Sequence, residues 1–261
     1  MPDTTTPDPR LDAAALATEA DLAALRAEID TLDDGLHDLL MRRAAVVARL
    51  AASRAKGDGP AIRPGREAAI LRRLLARHAG PLPRTALVRL WRELLAATTS
   101  MQGPLSVAAW LPEAGVEVLR AHLGMAAPIR RFGTDAAALA AGQAGEASLV
   151  ALPAAGRWWR THFPSRLVVT ARLPFFGTAA ETVFLLSTTP PDASGDERSL
   201  LRVPAGRGED GLEAAGLGGS VIAREQDLVL VEVPGLLAAG DPRLASLGAT
   251  VLGGYAAPIP A

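Results

Sequence analysis

The chain has 261 residues with 27 Lys and Arg against 28 Asp and Glu, and a net charge of −1 excludes a protein that works by coating nucleic acid or another polyanion. Zero cysteines exclude disulfide scaffolds, thiolate zinc sites and cysteine nucleophiles, and His37, His78, His122 and His162 have no metal-ligand spacing, so neither metal nor cofactor is expected. Hydrophobic residues make up 49%, yet 53 residues are alanine, which buries little surface, so the core must come from Leu, Val and a few aromatics.

The opening MPDTTTPDPRLD has acidic residues and prolines where a signal peptide needs a basic start and an apolar run, so residues 1–17 are expected as a disordered leader. With no uncharged apolar run of about 18 residues, no membrane span is expected and the cytoplasm is the default location. The first helix is expected from Thr18, a capping residue, to about Lys56 ahead of Gly57-Asp58-Gly59-Pro60. Its seam is Leu22, Leu25, Ile29, Leu32, Leu36, Leu39, Arg43, Val46 and Leu50, with steps alternating three and four as in a coiled coil. At about 1.5 Å per residue it is roughly 55 Å long, more than a compact domain of about 85 residues can cover. A partner chain is expected to cover the rest. A second helix from Pro64 to Gly80 and a third from Arg84 to Gln102 are both amphipathic, and short connections make a three-helix bundle of residues 18–103.

Gly103-Pro104 marks the expected boundary, because 32 of the 45 glycines and prolines lie beyond it. Strands are expected at 105–110, 147–152, 167–171, 182–187 and 227–233, with helices at 114–123 and 135–142 between the first two. The chain is therefore read as multi-domain, an all-α bundle followed by an α/β or α+β region, with the latter divided at residue 190.

Polar residues interrupting the helical faces carry the chemistry. Arg43 sits where the seam calls for a hydrophobe and needs an anion, either a substrate or a neighbouring carboxylate. Arg26 and Arg54 flank the same seam, and Thr98 and Gln102 lie one turn apart on the third helix. Arg66 and Glu67 occupy the first turn of the second helix, where Glu67 either complements the dipole or meets a ligand.

The runs Leu25-Arg26-Ala27-Glu28-Ile29-Asp30 and Leu39-Leu40-Met41-Arg42-Arg43, then Arg66-Glu67 and Thr98 to Gln102, resemble the all-helical class of chorismate mutase over about residues 20–102. The resemblance implies an intertwined helical dimer that rearranges chorismate to prephenate without cofactor. It implies Arg26 and Arg43 as carboxylate clamps, Arg26 reaching into the partner's site. Arg54, where the family has lysine, and Gln102 become donors to the breaking ether oxygen. Arg66, Glu67 and Thr98 become substrate-binding residues. Lys56 is the alternative to Arg54, and Arg63 stands at a usually acidic position.

Residues 104–190 weakly resemble one lobe of a prephenate dehydratase, and 191–261 a small regulatory domain of the ACT type, which implies an aromatic amino acid as effector. The expected Thr-Arg-Phe reads Thr182-Val183-Phe184, and the region is short for two lobes. Alternatives to a monofunctional mutase are a bifunctional mutase–dehydratase and a non-catalytic helical dimerisation or sensing protein.

Overall fold

The computed structural model describes residues 19–53, 62–125, 127–160 and 163–261. The expected leader, Thr18, Arg54 and Lys56 lie outside them. The chain divides into two compact units, Met1–Ala52 and Ser53–Ala261. The division falls ahead of the second helix.

The first unit is a single helix, α1 (Glu19–Ser53), with Glu19 and Asp21 in its first turn, where they complement the helix dipole. None of its residues is buried. Leu25, Ile29, Leu32, Leu36 and Leu39 are each 53–60% exposed, so the seam read from the sequence forms an apolar stripe with little cover among the described residues. Thirty-five residues make it the longest helix described, yet it is not apolar enough to cross a membrane, nor is any other described helix.

The second unit begins with α2 (Pro64–Ala76) and α3 (Arg84–Ser100). Pro64 fits the first turn because its missing N–H has no helical partner to lose. The helices meet each other, but their apolar faces also continue into the rest of the unit. Ala68 and Leu71 of α2 pack with Phe175 and Ala256, and Leu75, Leu87 and Val88 form an adjoining cluster. The bundle expected from sequence thus has a sheet and a fourth helix as further packing partners.

Two crossovers follow: β1 (Val107–Ala109), α4 (Glu113–Leu123), β2 (Ile129–Arg131), α5 (Asp135–Gln143) and β3 (Leu149–Pro153). β1 pairs in parallel with both β2 and β3, as strand–helix–strand connections require. Thr134 caps α5, its hydroxyl accepting from the Ala137 N–H at 3.2 Å. The remaining elements are β4 (Val168–Leu173), β5 (Val183–Ser187), β6 (Glu197–Pro204), a 3₁₀ turn at Ala205–Arg207, α6 (Glu209–Ala214), β7 (Ser220–Glu225), β8 (Leu228–Pro234), α7 (Pro242–Leu247) and β9 (Thr250–Ala256).

All nine strands form one sheet, in the order β2-β1-β3-β5-β4-β9-β6-β8-β7. It crosses residue 190 without a break. The junction is the parallel pair β4–β9 at Val169 and Gly253, where Gly253 has φ +145° and a Cβ would fall 2.2 Å from the Val169 oxygen. Only glycine fits there.

Successive strand residues feed opposite faces. Leu200 and Leu230 join a core with Val169, Phe184 and Tyr255, while their neighbours Leu201, Val229 and Val231 join a separate one capped by Leu212, Leu244 and Leu247 of α6 and α7. A third cluster sets Leu119 and Leu123 of α4 against Val107, Leu173, Val183 and Leu185. That face carries the residues next to α3.

Candidate functional site

The start of α2 is tied down by a carboxylate from far along the chain. Asp192 accepts from the Gly65 N–H (2.9 Å) and the Arg66 N–H (3.2 Å), and from Arg63 Nε (3.1 Å). Two of the free first-turn amides are thereby satisfied and a negative charge sits at the positive end of the helix. Gly65 makes the approach possible, since a Cβ there would lie 2.1 Å from the Asp192 carbonyl oxygen. Arg63, noted in the sequence as a basic residue at an acidic position, has this aspartate as its ion partner. About two turns along, Arg72 holds the same segment, donating to the Ser194 and Asp196 carbonyls at 3.1 and 2.8 Å and to the Ala257 carbonyl at 2.7 Å.

Glu67, in the first turn of α2, is half-buried and accepts from Arg92 Nη1 of α3 at 3.0 Å. Arg92 is only 4% exposed, and its guanidinium lies 5.2 Å from the centre of the Phe175 ring. Burial lowers its pKa to about 10, below the ordinary guanidinium range, although the charge and hydrogen bond of Glu67 work in the opposite direction. Desolvation thus outweighs the pairing with Glu67, and keeping this cation inside is a net cost to the fold. His122 of α4 is affected in turn: burial first, and Arg92 second, hold its imidazole well below the ordinary value of 6.5. It is neutral at physiological pH.

Thr98 is buried and its hydroxyl donates to the Leu94 carbonyl of its own helix at 2.7 Å. Gln102 Nε2 donates to the Thr98 carbonyl at 3.1 Å, closing the end of α3. Arg66 is exposed. Among the residues singled out in the sequence, Arg66, Glu67, Thr98 and Gln102 therefore belong to the second unit. Arg26, exposed, and Arg43, half-buried, lie on α1, and Arg54 is outside the described residues.

Sequence reasoning passed over Arg92, His122 and Asp192. Arg92 carried a usable signal: it interrupts the stripe Leu87, Val88, Trp91, Leu95 as Arg43 interrupts the seam of α1.

Residues 25–103 match the family model of chorismate mutase type II. This mutase-like segment contains every site residue named above from Arg26 to Gln102. The chain is also similar to the bifunctional chorismate mutase/prephenate dehydratase of Pseudomonas aeruginosa, 35% identical over 103 residues, which cover 38% of this chain and 28% of that protein. The match thus spans less than a third of the relative's length. Among solved structures, a prephenate dehydratase from Streptococcus mutans aligns with 59% of this chain and 98% of its own at 13% identity and a TM-score of 0.42. A structure described as a novel type of quorum-quenching acylase aligns with 59% of this chain and 96% of its own at 20% identity and a TM-score of 0.39.

Proposed function

We propose that the chain is a chorismate mutase acting as a homodimer, and that residues 18–103 are its catalytic domain. The observation that carries this reading is the type II chorismate mutase match over residues 25–103. The reaction is a pericyclic rearrangement to prephenate, which requires no nucleophile, metal or cofactor. The protein's task is to hold the extended enolpyruvyl ether in its compact reactive conformer and to set cations and donors where negative charge grows on the ether oxygen. Arg26 from one chain and Arg43 from the other clamp the two carboxylates. Arg54 and Gln102 donate to the ether oxygen, and Arg66, Glu67 and Thr98 bind the substrate, with Glu67 accepting from the ring hydroxyl. Arg92 orients Glu67 for that contact through the 3.0 Å bond.

Dimerisation is supported by the uncovered stripe on α1, which a second copy would bury. The purified protein should consume chorismate and accumulate prephenate in metal-free buffer. A folded protein that leaves chorismate at its spontaneous rate would sink the proposal. The same assay repeated with phenylalanine tests the aromatic amino acid effector proposed for residues 191–261.

A second reading, a bifunctional mutase–dehydratase, is favoured by the name of the relative. Against it, Val183, at the position expected to be arginine, is fully buried in an apolar cluster with Leu173 and Leu185. Phenylpyruvate formation above background would decide for this second reading.

A further inference from the structure

Beside Arg92 lies a cavity of about 380 Å³. It is bounded by α3, by α4 and by the segment 174–179, and its walls include Val88, Val118, Phe175 and Phe176 with Arg92 and His122 between them. The volume falls in the range of about 300–1,000 Å³ typical of small-molecule sites, as does the mix of apolar walls and a few polar groups.

The polar groups define what fits. A guanidinium has five N–H donors, and among the described residues Glu67 is the only hydrogen-bond partner of Arg92, through Nη1. The other N–H groups of this buried, cavity-lining cation have no hydrogen-bond partner among the described residues. No Asp or Glu side chain lines the cavity, and Arg89 stands exposed at its edge. His122 is neutral there and adds a ring nitrogen without charge. The buried Arg92 charge therefore attracts an anion and repels an ammonium group, although the Thr85 and Thr178 hydroxyls and the Ala261 carboxyl group also line the cavity. Arg92 is the only buried cation among the lining residues, so one anionic group is matched inside and the rest of the ligand faces Val88, Val118 and Phe176.

We propose that this cavity binds a small monocarboxylate with an aromatic or branched apolar body, its carboxylate on Arg92 and its body against Val118 and Phe176. The site adjoins the proposed mutase chemistry through Arg92, and its binding test does not depend on that activity. The carboxylate and Glu67 share one guanidinium, so occupancy weakens the hold on Glu67.

Calorimetric titration of the full chain with 3-phenylpropionate tests this, with 3-phenylpropylamine as the matched cation. The acid should bind saturably in the micromolar to millimolar range and the amine should not. Arg92→Gln made together with Glu67→Gln replaces the ion pair by two amides, and should weaken the acid at least about tenfold. Val118→Phe, which narrows the cavity and leaves the pair intact, should weaken binding and decides the matter alone if the double variant fails to fold. Absence of saturable binding by the wild type, equal binding of the amine, or undiminished binding by a folded double variant or by Val118→Phe would each overturn the proposal.

Discussion

Removing the carboxylate of Asp192 should destabilise the second unit through the start of α2. Its side chain is 19% exposed and accepts two helix N–H groups and the Arg63 guanidinium, whose side chain is 45% exposed. Loss of a cap costs about 0.5–2 kcal/mol and loss of a charge at a helix N-terminus about 0.3–1 kcal/mol. The half-exposed ion pair adds between about 0 and 1 kcal/mol. The sum for Asp192→Ala is about 1–4 kcal/mol, with about 2 as the central value. For a unit of this size about 2–4 °C is lost per kcal/mol, so the melting temperature should fall by about 4–8 °C. Asp192→Asn keeps one carbonyl acceptor without the charge and should cost roughly half as much. Exposed Glu117→Ala is the control and should stay within about 0.5 kcal/mol. Thermal and urea unfolding followed by circular dichroism give the magnitudes, and hydrogen exchange at the Gly65 and Arg66 amides gives the location. An Asp192→Ala protein melting within one degree of wild type, with both amides still protected, would refute the capping argument.

Gln102→Glu should lower mutase activity at neutral pH and recover it on acidification, because a glutamate donates only when protonated, near its reference pKa of about 4.3; parallel kcat/KM profiles against pH would show that residue 102 does not contact the reacting oxygen. Leu32→Glu with Leu39→Glu should convert a dimer into a monomer by light scattering, and a wild type that is already monomeric at micromolar concentration would remove the basis for the assembly. His122 is held neutral in the folded chain, so the unfolded state binds its proton first and this group's contribution to stability is lost as pH falls below about 6.5. His122→Gln should then show a shallower loss of urea stability between neutral and mildly acidic pH, and an unchanged slope would assign the loss to other groups.

Local pattern alone located the elements that dominate the fold. The long helix α1, the amphipathic α2 and α3, the strands β1, β3, β4, β5 and β8, and the helices α4 and α5 each carry a periodicity or an apolar run that any window of ten residues displays. The elements passed over lack such a signal. β2 and β7 are edge strands of modest burial, with one neighbour each, and Ile129-Arg130-Arg131 shows a single apolar residue. β6 is framed by charges, and α6 and α7 are six residues long, under two turns.

The mutase-like segment was legible because its arginines, Glu67 and Gln102 stand at fixed spacings along helices, which is information one strand of text holds completely. The surroundings of those residues were not. Asp192 reaches Gly65 across 127 positions, and Phe175 comes under Arg92 from a loop before β5. Whether Arg92 is a solvated surface cation or a buried one depends on what the sheet and α4 bring against α3. Chain spacing fixes which residues share a helix face, and only the packing of distant segments decides which of those charges lose water and must find a partner.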